Sequence, residues 1–268
     1  MKSILPILLL LFTYSCILEE KKPLEKIQFN FPQLVNSKID TSLRISKHKA
    51  DHVSEIFPFF IGKYRFSQQN IDLANRAVDT NMLKDYTYSH GLDILADSID
   101  MTGLELLVDY ETSVVYKERY SWRDSILYEY YPVYFVNSTN TDKFFLAKDS
   151  HVFGIQEASN TEQRSYAKWI PIEGLGRDWC GNGHWGVIIH PQEYLLILMK
   201  KYDGNFETDL RVRFKVGENI YVSKAFKGSI NENQFKIKGN FHLESALSDS
   251  YMFAIENLFF GAFPMMEE

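Results

Sequence analysis

Along residues 208–216, TDLRVRFKV, apolar and basic side chains alternate without a break. Leu210, Val212, Phe214 and Val216 fall on one side; Arg211, Arg213 and Lys215 fall on the other. A period of two puts successive side chains on opposite faces, so the stretch predicts a half-buried strand with one wet face. Gly217-Glu218-Asn219 supplies turn chemistry, and IYVSKAF reads as the returning strand of a hairpin. QFKIKGNFHL, 234–243, repeats the alternation and predicts a further strand. Other strand candidates are LELLV (104–108), SVVYKERY (113–120), LYEYYPVYFVN (127–137), KFFLA (143–147), HVFGIQ (151–156), YAKWIPI (166–172), WGVIIH (185–190) and EYLLILM (193–199). Pro132 lacks an N–H, which predicts an edge or a bulge within its strand.

The connectors are rich in turn formers: NSTNT, SNTEQ, PQ and DGN. DGN predicts a hairpin turn between EYLLILM and TDLRVRF. Short strands at regular spacing predict a mainly all-β chain with an antiparallel sandwich over 102–268. The region 28–101 is less regular. IQFNF and FPFFIGKYRF read as strands, and Leu73, Ala77, Leu83 and Tyr86 mark a short helix. The tail YMFAIENLFFGAFPMMEE predicts a C-terminal strand packed on the body; Glu256, Asn257 and Gly261 break it as a membrane helix.

The first residues follow another logic. Lys2 gives a positive start, and Ile4 to Phe12 is an apolar run broken only by Pro6. Its length fits the h-region of a secretory signal and falls short of the roughly 20 residues a spanning helix needs. Thr13-Tyr14-Ser15-Cys16 then resembles a bacterial lipobox, in which the cysteine thiol is acylated and the signal is cut just before it. The match departs from the usual pattern at Thr13 and Tyr14. The expectation is a signal peptide over 1–15, lipidation at Cys16 and a charged tether over 16–27. The alternative is an ordinary signal peptide cut nearby. Glu19 and Glu20 resemble the acidic signal that sends some Bacteroidota lipoproteins to the cell surface. The anchor would give membrane attachment without a span.

Composition narrows the partners. The chain of 268 residues has 29 basic and 35 acidic side chains, a formal net charge of −6. There is no basic block to neutralise phosphates, which argues against nucleic acid as a partner. Aromatics at 15% favour strands. With Cys16 acylated, Cys180 has no second cysteine to pair with, so stability comes from packing and not from disulfides.

The reactive residue types concentrate in RDWCGNGHWGVIIHPQEY, 177–194. Asp178, Cys180 and His184 converging around the Cys-Gly-Asn-Gly turn would make an open zinc site or a Cys–His nucleophile pair. His184 and His190 on a straight strand lie about 20 Å apart, too far to share a metal. The weightier reading is structural: Gly181, Asn182 and Gly183 tolerate positive φ and turn the chain sharply. Asp203-Gly204-Asn205-Phe206-Glu207 alternates oxygens like a calcium loop, but its glycine and twelfth residue are misplaced for one. Asp97-Ser98-Ile99 and Asp124-Ser125-Ile126 match a short O-glycosylation motif of exported Bacteroidota proteins. No G-x-S-x-G, H-E-x-x-H, glycine-rich phosphate loop or C-x-x-C occurs, and no cofactor is expected.

YYPVYFVNST, KWIPIEG, WCGNGHWGVIIHPQEY, YDGNFETDLRVRFKV and FKGSINENQF, taken in order, resemble an uncharacterised group of Bacteroidota secreted or lipid-anchored proteins. The likeness covers roughly 102–240. It implies an immunoglobulin-like β-sandwich and an envelope location, and it brings no catalytic residues. The leading expectation is a non-catalytic, lipid-anchored envelope module that binds a protein or glycan partner. The alternatives are a hydrolase using Asp178, Cys180 and His184, and an immunity lipoprotein against an envelope toxin.

Overall fold

The computed structural model describes residues 28–40, 42–48, 53–54, 57–63, 70–73, 102–117, 126–148, 152–160, 168–176 and 184–265. The signal, Cys16, the tether, the helix expected over 73–86, Asp178, Cys180 and most of both short glycosylation motifs lie outside them. In chain order the strands are β1 (Gln33–Val35), β2 (Arg44–Ser46), β3 (Val53–Ser54), β4 (Phe57–Lys63), β5 (Asn70–Asp72), β6 (Leu104–Val108), β7 (Val114–Lys117), β8 (Ile126–Asn137), β9 (Lys143–Lys148), β10 (Gly154–Ser159), β11 (Trp169–Pro171), β12 (Gly174–Leu175), β13 (His184–Ile189), β14 (Glu193–Lys200), β15 (Phe206–Val216), β16 (Asn219–Val222) and β17 (Phe226–Ile230). Helices α1 (Phe241–Asp249) and α2 (Tyr251–Asn257) follow. The chain is mainly β, and its longer pairings are antiparallel. The parallel pairs, β1 with β5, β2 with β8 and β3 with β12, all involve the segment before residue 73.

One sheet centres on β8, which pairs with β14 on one side and with β6 and β7 on the other. Pro132 falls between the residues paired with β6 and those paired with β7, and there its carbonyl accepts from Asp109 N–H at 3.0 Å. Its missing N–H therefore interrupts neither short ladder. The expected irregularity is a change of neighbour. A register shift does occur opposite β14, where Leu196 pairs with Phe60 and Ile197 with Pro58. The second sheet centres on β15, flanked by β10 and, on the other edge, by β16 and β17 in succession. Ser223 sits between those two; its hydroxyl accepts from Val212 N–H at 3.0 Å and so fills the gap in the ladder. β15 and β16 form the expected hairpin, and Gly217 takes φ 59° at its first loop position.

Alternation on β8 and β14 feeds two cores. Tyr131, Val133, Phe135, Leu195, Ile197 and Met199 face inward, where Phe144, Val187, Leu210, Val212 and Phe214 meet them. Tyr130, Tyr134, Val136, Tyr194, Leu196 and Leu198 face the other way, under Phe29, Leu34, Ile71 and Leu73 of the N-terminal segment. A third core joins Ile155 and Leu175 to the C-terminal helices. β9 and β13 pair separately. Asn137 ties their end to β8: its amide donates to the Ile189 and Thr141 carbonyls at 2.7 and 2.8 Å.

Four expectations are corrected. IQFNF forms no strand over its described residues 28–31, and β1 begins at Gln33. The expected C-terminal strand is replaced by α1 and α2. Asn240 caps α1 by accepting from His242 and Leu243 N–H, and Leu243, Ala246 and Leu247 bury at helical spacing. QFKIK is likewise no strand. Asn231 caps a 3-10 turn over Glu232–Phe235 with a full capping box, leaving only a bridge from Lys236 to Met265. The DGN turn makes no hairpin, because β14 and β15 belong to different sheets and it carries the chain between them.

The outer aromatic cluster generates a stability prediction. Tyr134 is fully buried, and its hydroxyl has no hydrogen-bond partner among the described residues. Burial, then the nearby Asp109 and Tyr194, push its pKa far above the ordinary 10.0. A raised folded pKa contributes stability below the unfolded value near 10, and that contribution is lost as pH climbs past it. Tyr134→Phe removes an orphaned hydroxyl and is expected to raise unfolding free energy by about 1 kcal/mol. It should also soften the loss of stability above about pH 10. Denaturant melts of both forms, at neutral and alkaline pH, check both signs; a less stable Tyr134→Phe at neutral pH would refute the reading.

Candidate binding cleft

Of the residues singled out in the 177–194 stretch, Asp178 and Cys180 lie outside the described residues, and the backbone of His184 and the whole of His190 lie within them. His184 opens β13, and its register with β9 runs from His184–Lys148 to Ile189–Lys143 without a shift. The bend at Gly186 that two histidines would need to share a metal is absent. Gly186 instead accommodates Phe144: a Cβ there would meet the ring at 1.9 Å. His190 lies past the strand end, exposed, with Nδ1 2.8 Å from an Asp142 carboxylate oxygen. No group of three metal-ligating side chains gathers among the described residues.

A cleft of about 600 Å3 opens elsewhere, within the usual range for small-ligand sites of about 300–1,000 Å3. It forms where the inward faces of the two main sheets reach the ends of their apolar stretches. On β8, Tyr131 lies inside the core, and Glu129, two residues back on the same face, lines the cleft. On β14, Met199 lies inside the core, and Lys201 lines the cleft. Lys201 N–H donates to the Glu129 carbonyl at 3.1 Å, so the ladder holds the two side by side. Glu207, Thr208, Lys227, Gly228 and Ser229 of β15 and β17 form another wall. Lys47, Tyr110, Tyr202 and Asp203 complete the lining that the described residues provide.

The aromatic groups are fixed from behind. Tyr110 is 52% exposed yet stacks on Phe226, centroids 5.9 Å apart and planes within 2°. Phe226 meets Tyr131 edge to face at 5.2 Å. Tyr202 donates from its hydroxyl to buried Glu173 at 2.5 Å. The other Glu173 oxygen accepts from Gln156 N–H at 3.0 Å, and the Gln156 amide donates to the Lys200 carbonyl at 2.9 Å. This buried chain ties β10 to the end of β14 beneath the cleft.

Charges divide into paired and unpaired. Lys47 meets Asp203 at 2.9 Å, and that bond, with the further charge of Glu129, raises its pKa. Lys227 meets Asp209 at 2.6 Å. Lys201 lies 5.3 Å from the Tyr131 ring centre and has no ion-pair partner among the described residues. Among the described residues, Glu129 accepts only from the Ser113 hydroxyl, at 3.2 Å, and Glu207 has no side-chain partner. Burial, then Glu129, raises the Tyr131 pKa, so its hydroxyl remains a neutral donor. The arrangement offers a rigid aromatic face and, among the described residues, one ammonium and two carboxylates without an ion-pair partner.

Sequence reading missed this cleft because its residues come from six separated segments. The available signal was Glu129 within LYEYYPVYFVN and Lys201 directly after EYLLILM, polar positions that extend an inward-facing apolar series. Comparison with known proteins finds no match: no family model fits the chain, and neither a curated protein nor a solved structure matches it.

Gly204 tests the cleft's wall. A Cβ there would lie 2.0 Å from the Ile230 carbonyl oxygen and 2.2 Å from Asn231 N, both backbone atoms that cannot swing aside. Gly204→Ala is expected to cost about 2 kcal/mol or more by overpacking. Thermal melts check it; an unchanged melting point would show that the turn readjusts.

Proposed function

We propose that this chain is an exported, lipid-anchored envelope protein, akin to the Bacteroidota group it resembles. Its immunoglobulin-like sandwich acts as a non-catalytic binding module, and its cleft takes a glycan. The observation that carries the reading is Tyr110. It presents an open aromatic face inside a cleft rimmed by carboxylates, ammonium groups and hydroxyls, while Phe226 holds it from behind. Aromatic faces supply apolar contact at low entropic cost, and the surrounding polar groups suit the hydroxyls of a sugar ring. The Cys16 motif supports attachment by acyl chains, which leaves the folded body free to meet a ligand at the membrane surface.

Two measurements test this. The full chain expressed in a diderm bacterium should fractionate with membranes, and Cys16→Ser should release it to the soluble fraction. Equal membrane association of both forms would refute the anchor. Titration calorimetry against a panel of sugars should detect binding that Tyr110→Ala weakens by about tenfold or more. A panel without any binder, or a Tyr110→Ala protein that binds as well as the parent, would refute the glycan reading.

A further inference from the structure

We infer that the cleft selects a zwitterionic sugar, one whose ring carries both a carboxylate and an amino group. The inference rests on the glycan reading above and names its ligand class. The lining brings two of its three lysines into ion pairs, Lys47 with Asp203 and Lys227 with Asp209. Lys201 is the third, and its ammonium is directed over the Tyr131 ring, 5.3 Å from the centre. Glu129 stands beside it in the ladder, and the two form no ion pair. Directly opposed strand residues have Cβ atoms only about 5 Å apart, so contact was within reach. Each charge is held by another group: Lys201 by the Tyr131 ring, Glu129 by the Ser113 hydroxyl at 3.2 Å.

A ligand meets these charges as a fixed pattern. An ammonium and a carboxylate on neighbouring strands complement a carboxylate and an ammonium on neighbouring positions of one small molecule. A purely anionic sugar would satisfy Lys201 but face Glu129 and Glu207; a purely cationic one would satisfy the carboxylates but face Lys201. A ligand bearing both charges gives Lys201 and Glu129 each a partner of opposite sign and leaves only Glu207 over, which is how charge arrangement yields specificity. Tyr110 meanwhile provides the face on which the sugar ring lies, Phe226 fixing its plane.

The test uses the full chain and four monosaccharides: glucose, glucosamine, glucuronic acid and muramic acid, which carries both groups. The zwitterionic dipeptide Ala-Ala serves as a fifth probe without a ring. Calorimetry is run in mildly acidic, low-salt buffer, where the amine is charged and screening is weak. Muramic acid should bind tightest. Lys201→Met should weaken muramic acid and glucuronic acid by about tenfold and leave glucosamine nearly unchanged. Glu129→Gln should do the reverse, weakening muramic acid and glucosamine while sparing glucuronic acid. Melting curves of both variants confirm that they fold. If glucose binds as tightly as muramic acid, or both variants keep the parent's order of affinities, the inference is overturned while the glycan reading stands. Ala-Ala binding as tightly as muramic acid, and resisting Tyr110→Ala, would overturn the sugar component. Failure of all the sugars overturns the glycan reading itself.

Discussion

Strands β8 and β14 have almost no solvent face, and the rest of the structure follows from covering them on both sides. Every residue of β14 is buried, as is β8 from Tyr130 to Val136. Apolar burial contributes roughly 25 cal/mol per Å2, so a pair of strands buried on both faces is a large source of stability only if two partners supply surface. The inner partner is the sheet around β15, with β9 and β13. The outer one is the N-terminal segment, whose Phe29, Ile71 and Leu73 close the second core. This explains why the irregular N-terminal region joins the sheets by short parallel pairings: it serves as a cover, with its own strands only three residues long or fewer where they pair in parallel. The same constraint locates the cleft. Where the inward series on β8 and β14 runs past the covering sheet, the next positions are Glu129 and Lys201, and the core face becomes a polar wall.

Burying so much backbone forces polar groups inside, and they are arranged in chains. Glu173, 1% exposed, accepts from both Tyr202 and the Gln156 backbone, and Gln156 passes the connection on to Lys200. Losing one member would leave a buried carboxylate or amide without its partner, which costs more than the bond contributes. On the outer face of β15, Arg211 meets Glu157 at 2.6 Å and lies over Trp169, while Arg213 donates to the Phe260 carbonyl at 3.3 Å. The face that sequence alternation marked as wet is therefore largely roofed. Its basic side chains bind the buried Glu157 and hold down the C-terminal helices, since guanidinium groups cover apolar surface and still satisfy polar atoms.

How much was legible in the sequence depends on which physical signal each element carries. β15 was readable because its two faces differ in residue type, whatever covers them. β8 and β14 read as strands from β-branched and aromatic content, but a run apolar on both sides carries no sign of which residues face which core. The C-terminal helices were hidden for a different reason. Phe235, Ile237 and their flanking lysines satisfy a period of two by local chance, while two asparagine side chains, Asn231 and Asn240, decide the backbone by capping. Capping is a one-residue signal and is easily outvoted by a ten-residue pattern. The cleft was illegible because Tyr110, Glu129, Lys201 and Glu207 become neighbours only after the strands pair, and no local spacing encodes that.

The placement of those residues bears on what the cleft can do. Glu207 lies on β15, Glu129 on β8, and Lys201 directly follows β14, with its own N–H still in the ladder. Side chains on paired strands lose little further backbone freedom when a ligand arrives, so more of the contact energy appears as affinity. Tyr110 is the exception, since it belongs to the β6–β7 connection. That connection is short, and its two ends are fixed: Asp109 N–H donates to the Pro132 carbonyl, and Thr112 N–H donates to the Asp109 carboxylate at 3.1 Å. Phe226 then sets the ring's plane from the opposite sheet. Pro132, where β8 changes neighbour from β6 to β7, thus supplies through its carbonyl the anchor for the loop carrying the aromatic face, so the same point of the central strand serves both the ladder and the cleft.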